Sequence, residues 1–438
     1  MDFKQALAAT LEDERTLLAT SSEEDSLLFD EVTSSLLSNN RDLDELHRLH
    51  DVHQGLVDMA SLVQAIPRCS VENLAFMQVA SNLATAGSSY DASLLFPSLE
   101  SLKGQHVSTE SITEVAQRLW ERIVRVLKAL INAFKQFWTN VADAGWRMRK
   151  AAERLRLRAN AANGRPIRTG TITVHREIDR LSIRGSTPNN GEEIYRGLVN
   201  AKGQLKIVLN DYVGNVITTG QNMQTALSGD FTNPEQYLQG VINASKGLRL
   251  PFIASSLGCK EYRDVRFAAG EVMAAPPLLG NKSLFVTPLA VVRRDSASLL
   301  AQAEAQRRVG VRLLDSEPRN FAGHIDYQLP TIPAKTVAQL ADAVIEICAE
   351  IDSFVKASRK RQLESQYSKL LDVSGKAKNK IYERQVTESD SRHYESALRF
   401  NAAFASWSEN PHDSLVTHLL GVCRAALVVG NKSISNHS

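Results

Sequence analysis

The sequence predicts a mainly α protein carrying a small β insertion. Apolar residues recur at steps of three and four along most of the chain. The composition, 43% apolar and 23% charged, supports a sizeable buried core. Only residues 248–332 depart from the helical pattern, being rich in Gly and Pro with short runs of β-formers. At 438 residues the chain has room for roughly two to four domains.

Taken in order, Asp2–Leu18 and Ser26–Leu37 carry helical spacing, with Ser21–Asp25 as an acidic turn between them. Asp42–Ile66 reads as a third helix ended by Pro67, and Val71–Ala86 as a fourth. Gly87–Leu102 is loose, with Gly, Ser and Pro at a change of composition. The sharpest periodicity follows: Val115, Leu119, Ile123, Val126, Leu127, Leu130, Phe134, Phe137, Trp138 and Val141 form one stripe. That helical segment runs to a break at Asn163-Gly164-Arg165-Pro166, with a bend expected near Gly145. Thr169–Val199 is readable as strand or helix, whereas Gln204–Leu227 and Pro234–Lys246 are helical. Within the β island the strand candidates are Pro251–Ala254, Lys282–Val292 and Val309–Leu314, with a helix at Ser296–Arg307. Lys335–Leu371 reads as one long helix, and Lys378–Trp407 and Asp413–Val429 complete a helical C-terminus. The division expected is an acidic helical segment 1–110, a basic amphipathic segment 111–164, and a helical body 165–438.

Charge is segregated far more than the total suggests. The whole chain has 51 basic and 49 acidic residues, a net of +2. Met1–Glu100 holds 17 acidic and 5 basic residues, a net of −12, which leaves 32 acidic and 46 basic in Ser101–Ser438, a net of +14. Such opposition suits an acidic pro-region set against a basic body. The basic excess peaks between Arg118 and Arg158, where 11 basic residues (Arg118, Arg122, Arg125, Lys128, Lys135, Arg147, Arg149, Lys150, Arg154, Arg156, Arg158) face only Glu121, Asp143 and Glu153. A cationic face of this kind suits phosphates, because each one neutralised releases condensed counterions. Trp120, Trp138 and Trp146 in the same segment also suit an anionic membrane surface, and a plain core helix with a solvated cationic face has the same pattern.

Signatures of catalysis are sparse. Gly280-Asn-Lys-Ser and Gly430-Asn-Lys-Ser lack the glycine and the G-K-S/T step of a phosphate-binding loop. His47, His50 and His53 would spread over about 120° of a helix, too wide for one metal without other ligands. His175 with Glu177 and Asp179, or His324 with Asp326, reads as ordinary surface or capping chemistry. Cys69, Cys259, Cys348 and Cys423 lie far apart with no CxxC pair, which fits a reducing compartment. The N-terminus has acidic residues and no apolar h-region, and Arg424 breaks the most apolar run, Leu419–Val429. The expectation is a soluble protein made in a cytoplasm, with no catalytic residue, cofactor or metal. An enzyme would have to be built on the β island.

Ser-x-Glu tripeptides mark the charge boundary. Ser98-Leu99-Glu100, followed by Ser101, and Ser108-Thr109-Glu110, followed by Ser111, both sit where the acidic region gives way to the basic helix. A loose linker is where proteolysis concentrates. Cutting after either Glu100 or Glu110 would remove the acidic segment; Glu110 is favoured because the amphipathic helix starts directly after it, with Ser111 as its cap.

With these residues in view, the chain resembles the internal head proteins of phiKZ-like giant tailed phages. The matching junction is Ser108-Thr-Glu-Ser-Ile-Thr-Glu-Val-Ala-Gln-Arg-Leu-Trp120-Glu-Arg-Ile. Looser similarity follows at LGNKSLFV (279–286), at LPTIPAKTVAQLADAVIEICAEI (329–351) and in a C-terminal helix at 415–429. The resemblance implies a virion protein packaged inside the capsid and cut after Ser/Ala-x-Glu by the prohead protease. Its implied partners are that protease, genomic DNA and other capsid or inner-head proteins, with ejection into the host alongside the DNA. The alternative is a delivered effector that binds an anionic membrane or a host partner through the basic helix.

Overall fold

The structure, a computed structural model, describes residues 30–53, 55–56, 109–230, 232–248, 250, 260–262, 272–287, 298–316, 326–382 and 388–437. The predicted helices at Asp2–Leu18 and Val71–Ala86, the strand at Pro251–Ala254 and His324 lie outside the described residues. The first described element, α1, is helical over residues 30–53 and again at 55–56, joining the Ser26–Leu37 and Asp42–Ile66 segments that the sequence reads as separate. It is followed by α2, Thr109–Ala162, a helix of 54 residues and about 81 Å. The helix is one continuous element through Gly145, with buried apolar residues on one arc on both sides of that glycine.

The body wraps α2. The ambiguous segment 169–199 resolves into strand β1 (Thr171–Val174), a short helix α3 (Glu177–Leu181) and α4 (Gly191–Lys206). Asn190 caps α4 by accepting the Glu193 N–H at 3.0 Å. A π-helical stretch, Ile207–Tyr212, joins α4 without a break to α5 (Val213–Leu227). Next comes α6 (Pro234–Ser245), with Asn233 as cap and proline in the first turn. After the β island, α8 (Ala334–Lys356) packs along α2 and α4, and α12 (His412–Ile434) packs on α2 and α8. A second group contains α5, α6, α7 (Leu299–Arg307), α9 (Ser358–Tyr382), α10 (Glu388–Leu398) and α11 (Phe400–Glu409), in which α5 contacts α6 and α9 and α6 contacts α10. Helix α12 is apolar almost all round, with Leu415, Leu419, Leu420, Val422, Leu427 and Val429 all buried, as expected of a helix at the centre of a core.

Two small antiparallel sheets complete the fold. Strands β2 (Lys260–Tyr262), β3 (Val272–Ala274), β4 (Lys282–Thr287) and β5 (Gly310–Asp315) pair in sequence order, with Lys282 opposite Asp315 and Thr287 opposite Gly310. Strand β6 (Tyr327–Pro330) pairs instead with β1, Thr171 opposite Pro330. The loop leading into β4 is pinned to the helices: Asn200 donates to the Pro277 carbonyl at 3.1 Å, and Gln204 to that of Pro276 at 2.8 Å. Trp407 on α11 donates to Val309 O at 2.7 Å, tying the island to the second group.

The two GNKS tetrapeptides adopt different structures. Gly280 (φ 78°) and Asn281 (φ 59°) take left-handed conformations in the tight turn before β4. Asn281 holds that turn by accepting the Gly185 N–H at 2.7 Å. In contrast, Gly430–Ser433 lies inside α12, where a Cβ at Gly430 would stand 2.9 Å from Leu155 of α2. There Asn431 accepts from Arg158 at 2.5 Å and Lys432 donates to the Thr173 carbonyl at 3.1 Å.

The predicted single helix Lys335–Leu371 is two helices. Ala357 turns extended (φ −68°, ψ 157°) between α8 and α9, and neither Gly nor Pro announces the break. The predicted helix Lys378–Trp407 is likewise divided among the end of α9, α10 and α11.

Helix α1 shares the main core rather than standing apart: Val32, Leu36, Leu46, Leu49, Val52 and Leu56 are buried in the same cluster as α2 and α12. Trp138 of α2 lies at the hub, its ring 6.2 Å from Phe134, 5.5 Å from Phe137, 4.8 Å from Phe354 and 5.9 Å from His412. Trp138→Ala is expected to cost about 3–5 kcal/mol. Urea denaturation checks it: the midpoint falls with an unchanged slope, and a loss below about 1 kcal/mol would contradict this packing.

His53 of α1 is 1% exposed, and burial, followed by the charge of His50, pushes its pKa down to about 3. Its folded-state pKa is depressed, so the unfolded chain binds the extra proton. The stability it permits is whole above pH 6.5 and lost as pH falls toward 3, by about 1 kcal/mol per unit. His53→Leu should therefore gain on the natural chain as unfolding is measured from pH 7 down to pH 5. Parallel curves would show that His53 does not titrate in this way.

Candidate nucleic-acid interface

The basic residues of α2 do not form a single set. On a helix turning about 100° per residue, the buried apolar side chains from Val126 to Ala162 fill about 140° of arc. Arg125, Lys128, Lys135, Arg149, Lys150 and Arg154 are exposed and fall in the opposing arc. Arg125, Lys128 and Lys135 make no ion pair among the described residues. Arg149 meets Glu153 at 2.9 Å, and the Lys150 ammonium sits 4.8 Å from the centre of the exposed Trp146 ring.

The other five have different surroundings. Arg122 is buried, 7% exposed. Arg147, half-buried, reaches Asp143 at 3.1 Å and Glu31 of α1 at 3.3 Å. Arg156 pairs with Asp342 of α8 at 3.1 Å, and Arg158 with Asn431 of α12 as above. The side chain of Arg118 lies outside the described residues, although its backbone belongs to α2.

The acidic helix is seated against the middle of α2 and on α12. Asp42 accepts from Asn140 at 2.6 Å, and Glu31 pairs with Arg147. Across α1 and α12, Arg424 donates to the Thr33 hydroxyl at 2.9 Å, and His47 lies 3.5 Å from Ser414. His50 stands 3.1 Å from Glu409; burial lowers its pKa, and the Glu409 carboxylate outweighs that to leave it raised. The three histidines thus meet three different surroundings, and among the described residues no group of three His, Cys, Asp or Glu is placed to hold a metal.

Of the junction residues, Ser98, Glu100, Ser101 and Ser108 lie outside the described residues. Helix α2 begins at Thr109, so Glu110 and Ser111 stand in its first turn and Ser111 is not the cap that the sequence suggests. The histidine pairings read from the sequence also change: His175 meets Asp326 at 2.6 Å, with both side chains exposed, an ordinary surface pair. Cys348 and Cys423 are buried free thiols, both pushed up by burial, Cys348 to about 12.

Sequence reasoning missed two arginines, Arg180 on α3 and Arg424 on α12, which line one cleft with α1. Arg424 was visible as the lone charge inside an apolar run, but its neighbours come from α1, far away in sequence.

Comparison with known proteins gives one match. A family model of phiKZ-like phage internal head proteins matches residues 31–432. No curated protein and no solved structure matches the chain. The matched region starts in α1, crosses the Ser108-Thr109-Glu110 junction and ends in the last turns of α12. Spanning the acidic helix, the basic helix and the body together, it shows that the chain belongs to the family of phiKZ-like phage internal head proteins.

Proposed function

We propose that this internal head protein is a structural component of the virion that binds the packaged genome non-specifically through the exposed cationic arc of α2. We further propose that an acidic propeptide is cut away by the prohead protease after Glu110. The single observation that carries the DNA reading is the geometry of α2: six of its cations stand in solvent on one arc while its apolar arc is buried. Phosphates need only the first arc. An interfacial membrane helix needs both, and here the apolar one is occupied by α8, α12 and α1, with Trp138 fully buried.

Charge supports the processing reading. Ser101–Glu110 holds one lysine and one glutamate, so a chain beginning at Ser111 keeps the net +14 of the body while losing the −12 segment. While attached, that segment is held near the cationic body at an effective concentration on the order of millimolar. Its field weakens attraction to DNA until it is removed. Other inner-head proteins coated on the same DNA are the natural neighbours, and attachment to the genome would carry the protein out with it at ejection.

Exchanging Arg125, Lys128 and Lys135 together for alanine should weaken binding to duplexes of unrelated sequence alike. The slope of log affinity against log salt should fall by roughly 3, about one per lost phosphate contact. An unchanged slope would remove the α2 arc from the interface, and flotation with anionic vesicles would favour a membrane instead. For the processing step, intact mass of the protein from mature heads should give a chain starting at Ser111. A chain starting at Met1 would end that reading.

A further inference from the structure

The seam between α1 and α12 contains a cleft of about 140 Å³, well above the roughly 10–15 Å³ that one water needs. Its wall is made by Thr33 and Asn40 of α1, Arg180 of α3, and Thr417, Gly421 and Arg424 of α12, with two leucines of α1. Two guanidinium groups line it and, among the described residues, no carboxylate does. Unlike Arg147, Arg149 and Arg156 of α2, these arginines share a concave surface rather than a helix face.

The donors of Arg424 are partly unspent. Arg424 is half-buried and uses its Nε–H on the Thr33 hydroxyl, 2.9 Å away. A guanidinium has five N–H donors, so four remain, and they have no partner among the described residues. Thr417 is 6% exposed, and its hydroxyl has no partner among the described residues either. The backbone makes room for the second arginine: an ideal Cβ at Gly421 would overlap the Arg180 guanidinium, so glycine there lets Arg180 lie against α12. A half-buried charge with unused donors, a second cation admitted by a glycine and an unpartnered hydroxyl are the groups a tetrahedral oxyanion needs.

We propose that this cleft binds a phosphate group, held by Arg180 and Arg424 with the Thr417 hydroxyl. The occupant is either a free phosphate ion or a phosphodiester of the nucleic-acid backbone, which present the same oxygens to the same donors. The site is separate from the α2 arc, and neither depends on the other.

The test uses the full chain at constant ionic strength. Inorganic phosphate, titrated by calorimetry against a chloride control, should bind saturably. Arg180→Gln should weaken it at least tenfold, and so should Gly421→Ala, whose methyl displaces the guanidinium. Arg180 is exposed, so its variant carries the test even where Gly421→Ala fails to fold. A second titration with a short DNA duplex separates the sources. Loss of phosphate affinity alone assigns a free ion, whereas an equal loss for the duplex assigns the backbone. Phosphate behaving like chloride, together with duplex affinity indifferent to Arg180→Gln, overturns the site. The Arg125, Lys128 and Lys135 triple variant should leave phosphate affinity unchanged, which keeps this outcome distinct from that of the α2 arc.

Discussion

Everything in this fold depends on hiding one side of α2. A helix of 54 residues with an unbroken apolar arc cannot stand alone in water, and α8, α12 and α1 each cover part of that arc. The aromatic knot around Trp138 marks where they converge, with Phe354 arriving from α8 and His412 from the start of α12. Close approach is maintained at Gly430, where Leu155 of α2 and Val337 of α8 occupy the space a side chain would need. Once that arc is buried, the opposite arc must face solvent, and its cations are exposed as a consequence of packing. The cationic surface and the core are two faces of one constraint.

The same constraint decides what holds the acidic helix. The Glu31–Arg147 pair between α1 and α2, with Glu31 56% exposed, belongs to a class worth about 0–1 kcal/mol. Six apolar side chains of α1 are buried in the common core, at about 1.5–3 kcal/mol each before the entropy of ordering. Apolar contact therefore seats α1, and opposed net charge sets the long-range field around it. A segregation of −12 against +14 suggests electrostatic docking, but the magnitudes assign docking to the leucines and valines.

Which features were legible in the sequence follows from the range of the interactions that set them. The α2 stripe and the apolar α12 were readable because helical periodicity is local and strong. The identity of β1 was not, because Thr171–Val174 becomes a strand only by pairing with Tyr327–Pro330, some 155 residues away. The break at Ala357 carries no Gly or Pro and is set by where α9 packs on α5 and α11. The GNKS pair shows the principle within one tetrapeptide: beside Gly185 it is a left-handed turn, and beside Leu155 it is helix. Of the 11 basic positions, sequence alone placed all in one helical segment. It could not separate Arg122, buried, or Arg156 and Arg158, bound to α8 and α12, from the exposed six. The Arg180–Arg424 cleft needed three elements brought together and had no local signal.

The polar groups buried under α1 limit how firmly it is held. His53 carries a buried ring nitrogen, and Asn39 both its amide atoms, without partners among the described residues. Each such group costs about 1–3 kcal/mol relative to its hydrated state. Nearby, burial first and then the Glu409 carboxylate push the Asp413 carboxyl well above the usual carboxylate range, beside His412. An interface selected only for strength would place apolar residues at these positions. Several kcal/mol of the apolar gain along α1 is offset by groups that water would satisfy on separation. The seam is therefore weaker than its apolar area.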